Sequence, residues 1–344
     1  MRFPFALVYF LLLSTLAAQT GAAIRIDSAV TTYLTRTGFS GTILVAAEGE
    51  PVYLRTVGDS LTDGSRYAIA SVTKLFTSIR ILQLVDEGQI ALDSPVVHYL
   101  PRYADRISAQ LTPHHLLLHV SGLPTEADSL YTTRRSARDM VEAALNAAPA
   151  REPGSFVYNN VDYLLLGLLI EIVTGSGWQQ NISEHILDPL GMSETGFLAA
   201  GNLPVRFAYP YHQTETGLER DSARHIENFG AAGAMYATVA DLLKLDRALY
   251  TDVLLSPASR ERLAVSYPEY NYVGYGVWNY RYPFVDAQPT VMERRGHIGG
   301  ATCVLVRLTV DDYTIVILSN DDRFNPDSFG DDTNLREMLI RALY

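Results

Sequence analysis

The sequence predicts an α+β fold. We expect an antiparallel sheet flanked by helices, built from both ends of the chain, with a mostly helical domain inserted between. Three observations point there. β-rich runs cluster early, at 41–57, and return late, at 274–319. The stretch between them carries apolar residues at three- and four-residue spacing, the period of a helix packed on one side. No internal repeat or low-complexity segment suggests a solenoid or an array. Strands at both ends join one sheet most simply when the middle is an insertion. The predicted division is 24–80 with 236–344 for the sheet domain and 81–235 for the helical insert.

Residues 1–23 read as a secretory signal: Arg2, an apolar run from Phe3 to Leu13, then small residues at Ala17-Ala18 and Gly21-Ala22-Ala23. The run is short for a membrane span, and no later stretch holds about 18 uncharged apolar residues. A short helix is predicted at Asp27–Thr37. Gly41–Ala46 and Val52–Val57 flank a Gly49-containing loop and read as a hairpin. A helix is predicted from Ser71 to a C-terminal Gly88. Val72, Leu75, Phe76, Ile79, Leu82 and Val85 form its apolar face, and Ser71, Lys74 and Ser78 lie opposite. Further helices are predicted at 112–119, 137–147, 161–174, 178–186 and 238–249, strands at 274–282, 291–295, 302–310 and 313–319, and a closing helix at 333–343.

The chain of 344 residues is 48% hydrophobic and 19% charged, which allows a large core and excludes global disorder. Net charge is −11 and no basic stripe occurs, so nucleic acid is not an expected partner. The single cysteine, Cys303, has no internal disulfide partner and sits in an apolar alternating run. Export without disulfides fits a bacterial periplasm or exterior. His115 and His119 have helical i, i+4 spacing beside His114, but a metal pair needs a third ligand and no H-E-x-x-H occurs. A G-x-S-x-G elbow is also missing. No cofactor is expected.

Positive charge comes almost entirely from arginine. Of 27 basic residues only Lys74 and Lys244 are lysines. Arginine keeps its proton in a protein, whereas a desolvated lysine can lose it. Lys74 follows Ser71 by three residues, so one helix face presents an amine beside a hydroxyl. That is the minimal arrangement for activating a serine. A second element, Pro153-Gly-Ser-Phe-Val-Tyr158-Asn159-Asn160, delivers a tyrosine and an asparagine before an apolar helix. Tyr158 could move a proton if a neighbouring cation lowers its pKa, and Asn160 offers both a donor and an acceptor. A third element, Arg294-Arg-Gly296-His297-Ile298-Gly299-Gly300, opens a strand. Glycines there mark close backbone approach to a ligand.

Ser-x-x-Lys, then Tyr-x-Asn, then His-x-Gly resembles the serine β-lactamase and penicillin-binding protein superfamily. His115-Leu-Leu-Leu-His119-Val-Ser-Gly-Leu-Pro124, Gly230-Ala-Ala-Gly233 through Asp241, and Tyr275-Gly-Val-Trp278 resemble segments of its class C-like branch. The resemblance implies Ser71 as nucleophile, Lys74 as its activating partner and Tyr158 as proton relay. It implies Asn160, His297, Gly299 and Gly300 on the substrate, with oxyanion donors from the N–H groups of Ser71 and Gly300. The third motif departs from the Lys-Thr-Gly of β-lactamases: Ile298 offers no hydroxyl, and His297 attracts a carboxylate less than lysine does. It is similar to D-aminopeptidase, peptidase and esterase relatives. The expectation is an exported serine hydrolase acting on a small-molecule or peptide ester or amide. The alternatives are a penicillin-binding or sensor-type protein acylated without efficient turnover, and a weak β-lactamase.

Overall fold

The computed structural model describes residues 5–221 and 225–344, with side chains described from residue 21 on. Apart from Gly21–Ala23, the expected signal segment lies outside the residues described in full. Helix α1 runs from Phe5 to Thr37, longer than the 27–37 expected. The early hairpin forms as β1 (Gly41–Ala47) and β2 (Glu50–Val57). α2 spans Thr73–Asp86, α3 Ala137–Ala147, α4 Asn160–Thr174 and α5 Val239–Ala248. The late strands are β3 (Trp278–Arg281), β4 (Thr290–Ile298), β5 (Ala301–Leu308) and β6 (Tyr313–Ser319), followed by α6 (Leu335–Leu343).

These strands make one six-stranded sheet in the order β2-β1-β6-β5-β4-β3, antiparallel throughout. The first hairpin docks on the last strand, so both ends of the chain build the sheet. Side chains alternate across it. Ile43, Val45, Val304, Val306, Ile315 and Ile317 face α1 and α6, where Ile26, Val30, Leu339 and Ile340 meet them. Leu44, Cys303, Leu305, Val316 and Leu318 face the opposite way, toward α2 and the other helices. Full burial of each such aliphatic side chain contributes roughly 1.5–3 kcal/mol, so the two-sided sheet is the main source of cohesion.

α2 is the central helix: every residue from Thr73 to Leu82 is buried. Its polar side is therefore covered as well as its apolar side. Thr77 donates to the Ala231 carbonyl at 2.8 Å, and the Ser78 and Tyr163 hydroxyls lie 3.1 Å apart. Three short strands, Tyr67–Ala68, Met235–Ala237 and Gly196–Phe197, pair into a small second sheet. This pairing carries the chain into Ser71 beside the helical turn Gly230–Gly233. The strand expected over 274–282 begins only at Trp278, because Gly276 takes a left-handed φ of +77° to pass the backbone of Lys74.

Among the described residues no single helix is long and apolar enough to cross a membrane. α4 and the helical segment Trp178–Leu187 reach that length only together, with a bend of 81°. α4 is buried from Val161 to Ile170, as a core helix is.

Candidate active site

Ser71 sits inside a 3₁₀ turn, Ala70–Val72, that leads directly into α2. It is not the first residue of a regular α-helix, as the spacing suggested. Ala70 before it holds φ at +45°, a costly conformation for a residue with a Cβ. The turn places Ser71 at a cavity of about 300 Å³ that Tyr158, Trp278, Gly296 and His297 also line. Asn271 stands at the same cavity, and both it and Tyr272 have left-handed backbones.

Lys74 lies one helical turn on and is fully buried. Its Nζ is 3.2 Å from Ser71 Oγ, 2.7 Å from Asn160 Oδ1 and 2.8 Å from the Ala232 carbonyl. Two of these three partners are carbonyl oxygens that only accept. They fix two N–H bonds of the amine and leave its third tetrahedral direction on Ser71. Burial pushes the Lys74 pKa down, and Arg294 adds to that, against an opposing pull from Tyr158. Once the amine is neutral, its lone pair faces the serine hydroxyl.

Tyr158 comes from the loop before α4. Asn159 caps that helix through Val161 N–H at 2.9 Å and is anchored to the Leu123 carbonyl at 3.0 Å. The Tyr158 hydroxyl is 2.7 Å from Ser71 Oγ and accepts from Arg294 Nη2 at 2.6 Å. The ring as a whole is 38% exposed, but its oxygen is held at both sides. Burial raises the phenol pKa; Arg294 and Lys74 together outweigh burial and bring it below its ordinary value. Ser71 Oγ thus lies between two groups that both favour loss of its proton.

Asn160 reaches the same cluster, though both ends of its amide are engaged. Its oxygen takes Lys74, and its nitrogen donates to Glu126 Oε1 at 2.7 Å. Glu126 also accepts from the Tyr131 hydroxyl at 2.8 Å.

The third motif is where the geometry departs from the sequence reading. β4 continues through Ile298, and its side chains alternate. Arg294, Gly296 and Ile298 share the face turned toward α2, whereas the His297 side chain belongs to the other face. A Cβ on Gly296 would lie 2.6 Å from the Ile69 carbonyl, so glycine is required for strand and 3₁₀ turn to meet. Arg294 donates through Nε to the Ser71 carbonyl at 2.8 Å. The cation and the glycine beside Ser71 are therefore Arg294 and Gly296. His297 lines the cavity, but its Nε2 turns back to the Gly299 carbonyl at 2.9 Å. Gly299 and Gly300 form the turn into β5. Gly299 lines a separate, more apolar cavity with Phe207, Phe229 and Asp221, and Gly300 is pressed against the backbone of Tyr211. Neither lines the Ser71 cavity.

β3 pairs with β4 only from Thr290 to Glu293. Beyond that point the β4 edge beside Ser71 has no strand partner among the described residues. The backbone at Gly296 and His297 borders the Ser71 cavity, whereas Gly300 is packed against Tyr211. The three clustered histidines have separate partners. His114 Nδ1 meets the Tyr275 hydroxyl at 2.7 Å, His115 Nδ1 accepts from Thr112 N–H at 3.2 Å, and His119 meets Asp162. Cys303 is buried, with its thiol donating to the Ile69 carbonyl at 3.2 Å.

Residues 26–339 match the family described as Beta-lactamase. The chain belongs to the β-lactamase family. Among curated relatives it is 32% identical to esterase EstB of Burkholderia gladioli over 217 residues, covering 55% of each chain. It is 27% identical over 300 residues to the teichoic acid D-alanine hydrolase of Staphylococcus aureus, covering 84% of this chain and 72% of that one. The chain spans little more than half the length, 55%, of the first curated relatives it matches. Its fold is similar to that of the D-amino acid amidase of Ochrobactrum anthropi, with TM-score 0.79 and 22% identity over 95% of this chain and 99% of that one. In this β-lactamase-family chain, sequence reasoning missed Arg294 and Glu126. Arg294 was on view inside the third element; a strict period of two, started from the buried Met292, would have put it on the Ser71 face.

Proposed function

We propose that this protein is an exported serine hydrolase that forms an acyl-enzyme at Ser71 and acts on esters or amides, of the esterase or D-amino-acid peptidase type. One observation carries the reading: Ser71 Oγ lies 2.7 Å from the Tyr158 hydroxyl and 3.2 Å from Lys74 Nζ, with the other donors of Lys74 tied to carbonyl oxygens. The serine proton passes to this Lys74–Tyr158 pair as Oγ attacks the acyl carbon. Negative charge on the carbonyl oxygen falls toward the Ser71 N–H and the open β4 edge near Gly296 and His297. Tyr158, relieved by Arg294, hands the proton to the departing oxygen or nitrogen. Water then attacks the ester at Ser71 with the same pair as base, and the acid is released.

The esterase and D-alanine hydrolase relatives support the substrate class, and the N-terminal composition supports export. In this reading 24–80 with 236–344 supplies Ser71, Lys74 and Arg294, and the insert 81–235 supplies Tyr158 and Asn160. The test uses purified protein with p-nitrophenyl acetate, D-alanine p-nitroanilide and nitrocefin. Ser71→Ala should lower ester turnover by more than about 1,000-fold, since the nucleophile and its bases act as a unit. Ester turnover that persists in Ser71→Ala would place the nucleophile elsewhere. A single stoichiometric burst with no second turnover would convert the protein into a covalent receptor.

A further inference from the structure

Behind Tyr158 lies a pair of titratable residues that the mechanism above does not use. His119 and Asp162 are both buried, and His119 Nδ1 is 3.0 Å from Asp162 Oδ2. His119 has a left-handed backbone at φ +59°, so the chain accepts strain to point this ring inward. The ring lies between those of Tyr158, at 4.5 Å, and Tyr163, at 5.1 Å. Its Nε2 is buried and has no hydrogen-bond partner among the described residues.

The hydrogen-bond partners bear on where the protons sit. Asn159 N–H donates to His119 Nδ1 at 3.3 Å, so that nitrogen presents a lone pair and carries no hydrogen of its own. Asp162 Oδ2, 3.0 Å from the same lone pair, must then supply the hydrogen between them. At the other oxygen, Ser121 Oγ donates to Asp162 Oδ1 at 2.5 Å, and Ser121 Oγ itself accepts from Leu123 N–H at 3.0 Å. A carboxylic acid that accepts at Oδ1 and donates at Oδ2 satisfies Ser121 and His119 Nδ1 together with the Asn159 N–H. An ionised Asp162 with a doubly protonated imidazole would set Nδ1–H against the Asn159 N–H.

We infer that Asp162 is a protonated carboxylic acid donating to His119 Nδ1, that His119 is the neutral Nε2–H tautomer, and that this uncharged pair positions Tyr158 while leaving the Lys74 charge uncompensated. Burial acts in the same direction on both partners, raising the Asp162 pKa and lowering that of His119. Arg294 and Lys74 bear on His119, and Lys74 and Glu126 bear on Asp162. The aromatic faces of Phe156, Tyr158 and Tyr163 complete the surroundings. An ionised Asp162 would hold the proton on Lys74 and quench the base. A neutral one lets the amine release it. Both residues are positioning residues, since neither touches Ser71.

The functional half of this inference rests on the proposed role of Lys74; the protonation half does not. ¹⁵N-histidine NMR of the whole protein should show one histidine with a hydrogen-free Nδ1 and a protonated Nε2, unchanged from pH 5 to 8 and lost in His119→Asn (tautomer assignments follow the donor inventory of imidazole). A protonated Nδ1 on that residue overturns the assignment without reference to any activity. Asp162→Asn keeps an N–H toward His119 and an oxygen toward Ser121, and should stay within about threefold of wild-type kcat/KM with its acidic limb unmoved. Asp162→Ala should lose more than about tenfold in kcat at unchanged KM. If Asp162 were ionised, the asparagine would remove a negative charge beside Lys74, and the acidic limb would move down by about one unit or more. That shift would overturn the inference. Should Asp162→Asn not fold, the NMR result on the wild type decides.

Discussion

Two buried groups of charges flank the main sheet, and they are built on opposite plans. On the α6 side, Arg336 is 2.7 Å from Glu293 and also pairs with Glu337, and Arg295 Nε is 2.8 Å from Glu293. Two cations meet two carboxylates, and the Tyr280 hydroxyl closes the network on Glu293 at 2.9 Å. Burial works against the Glu293 charge, but Arg336 and Arg295 outweigh it and hold the carboxyl below its usual range. On the α2 side, Lys74 and Arg294 stand within contact of Tyr158, and among the described residues neither makes a salt bridge to a carboxylate. The first group is neutral and fully paired. The second is held under electrostatic tension, which is the condition for a proton to leave. What separates a structural charge from a chemical one here is compensation, for both groups are buried.

Lys74→Arg breaks the comparison most severely. It keeps the charge and removes the ability to shed a proton, so ester turnover should fall by more than about 1,000-fold while the fold survives. Near-normal turnover would show that the base is elsewhere. Glu293→Ala strikes the other group. It takes the shared carboxylate from Arg336 and Arg295, leaving Arg336 only Glu337, and should cost about 3 kcal/mol in urea unfolding, because buried positive charge is left undercompensated. The sign with pH follows from the depressed carboxyl: its contribution is present above the unfolded carboxylate pKa and disappears as pH falls through the lower folded value. The stability gap between wild type and Glu293→Ala should therefore narrow in acid, and a constant gap would contradict the pairing.

Arg294→Gln sharpens the contrast at lower cost. Losing a cation beside Tyr158 and Lys74 favours their protonated forms, so the acidic limb of kcat/KM should move up by about one unit, with about a tenfold loss at neutral pH. A limb that stays in place would leave Arg294 a purely structural role. The smallest effect is expected at His297, whose Nε2 is turned back to the Gly299 carbonyl. His297→Ala should change kcat/KM by less than about threefold, whereas Gly296→Ala should lose more than about tenfold by forcing strand and turn apart. The reverse order would restore the third motif to its sequence-based register.

Much of the scaffold was legible because its signals are local. The predicted bounds of α3 and β6 match the structure, as strongly periodic segments with clear punctuation should. α4 begins one residue before the predicted 161, at Asn160, where the Asn159 cap sets it. The second sheet was not legible: its strands are two or three residues long and exist only through their pairing. The hairpin Tyr211–Thr214 and Gly217–Arg220 carries too few apolar residues to announce itself. At the site, Ser71, Lys74, Tyr158 and Asn160 come together as their spacing and resemblance implied. The third motif was ambiguous for a concrete reason. Arg294-Arg-Gly296 and His297-Ile-Gly299 both place a basic residue two before a glycine, and they differ by three positions. An odd offset reverses the face of a strand, and only the tertiary approach of Ile69 and Ala70 decides between the two.

The Lys74 contact with the Ala232 carbonyl has an evolutionary side. A side-chain anchor can be erased by one substitution, but a main-chain oxygen survives any change of residue that keeps the Gly230–Gly233 turn in place. The orientation of the amine is thereby insulated from drift at position 232, and selection on it falls instead on the small residues that let the turn approach α2.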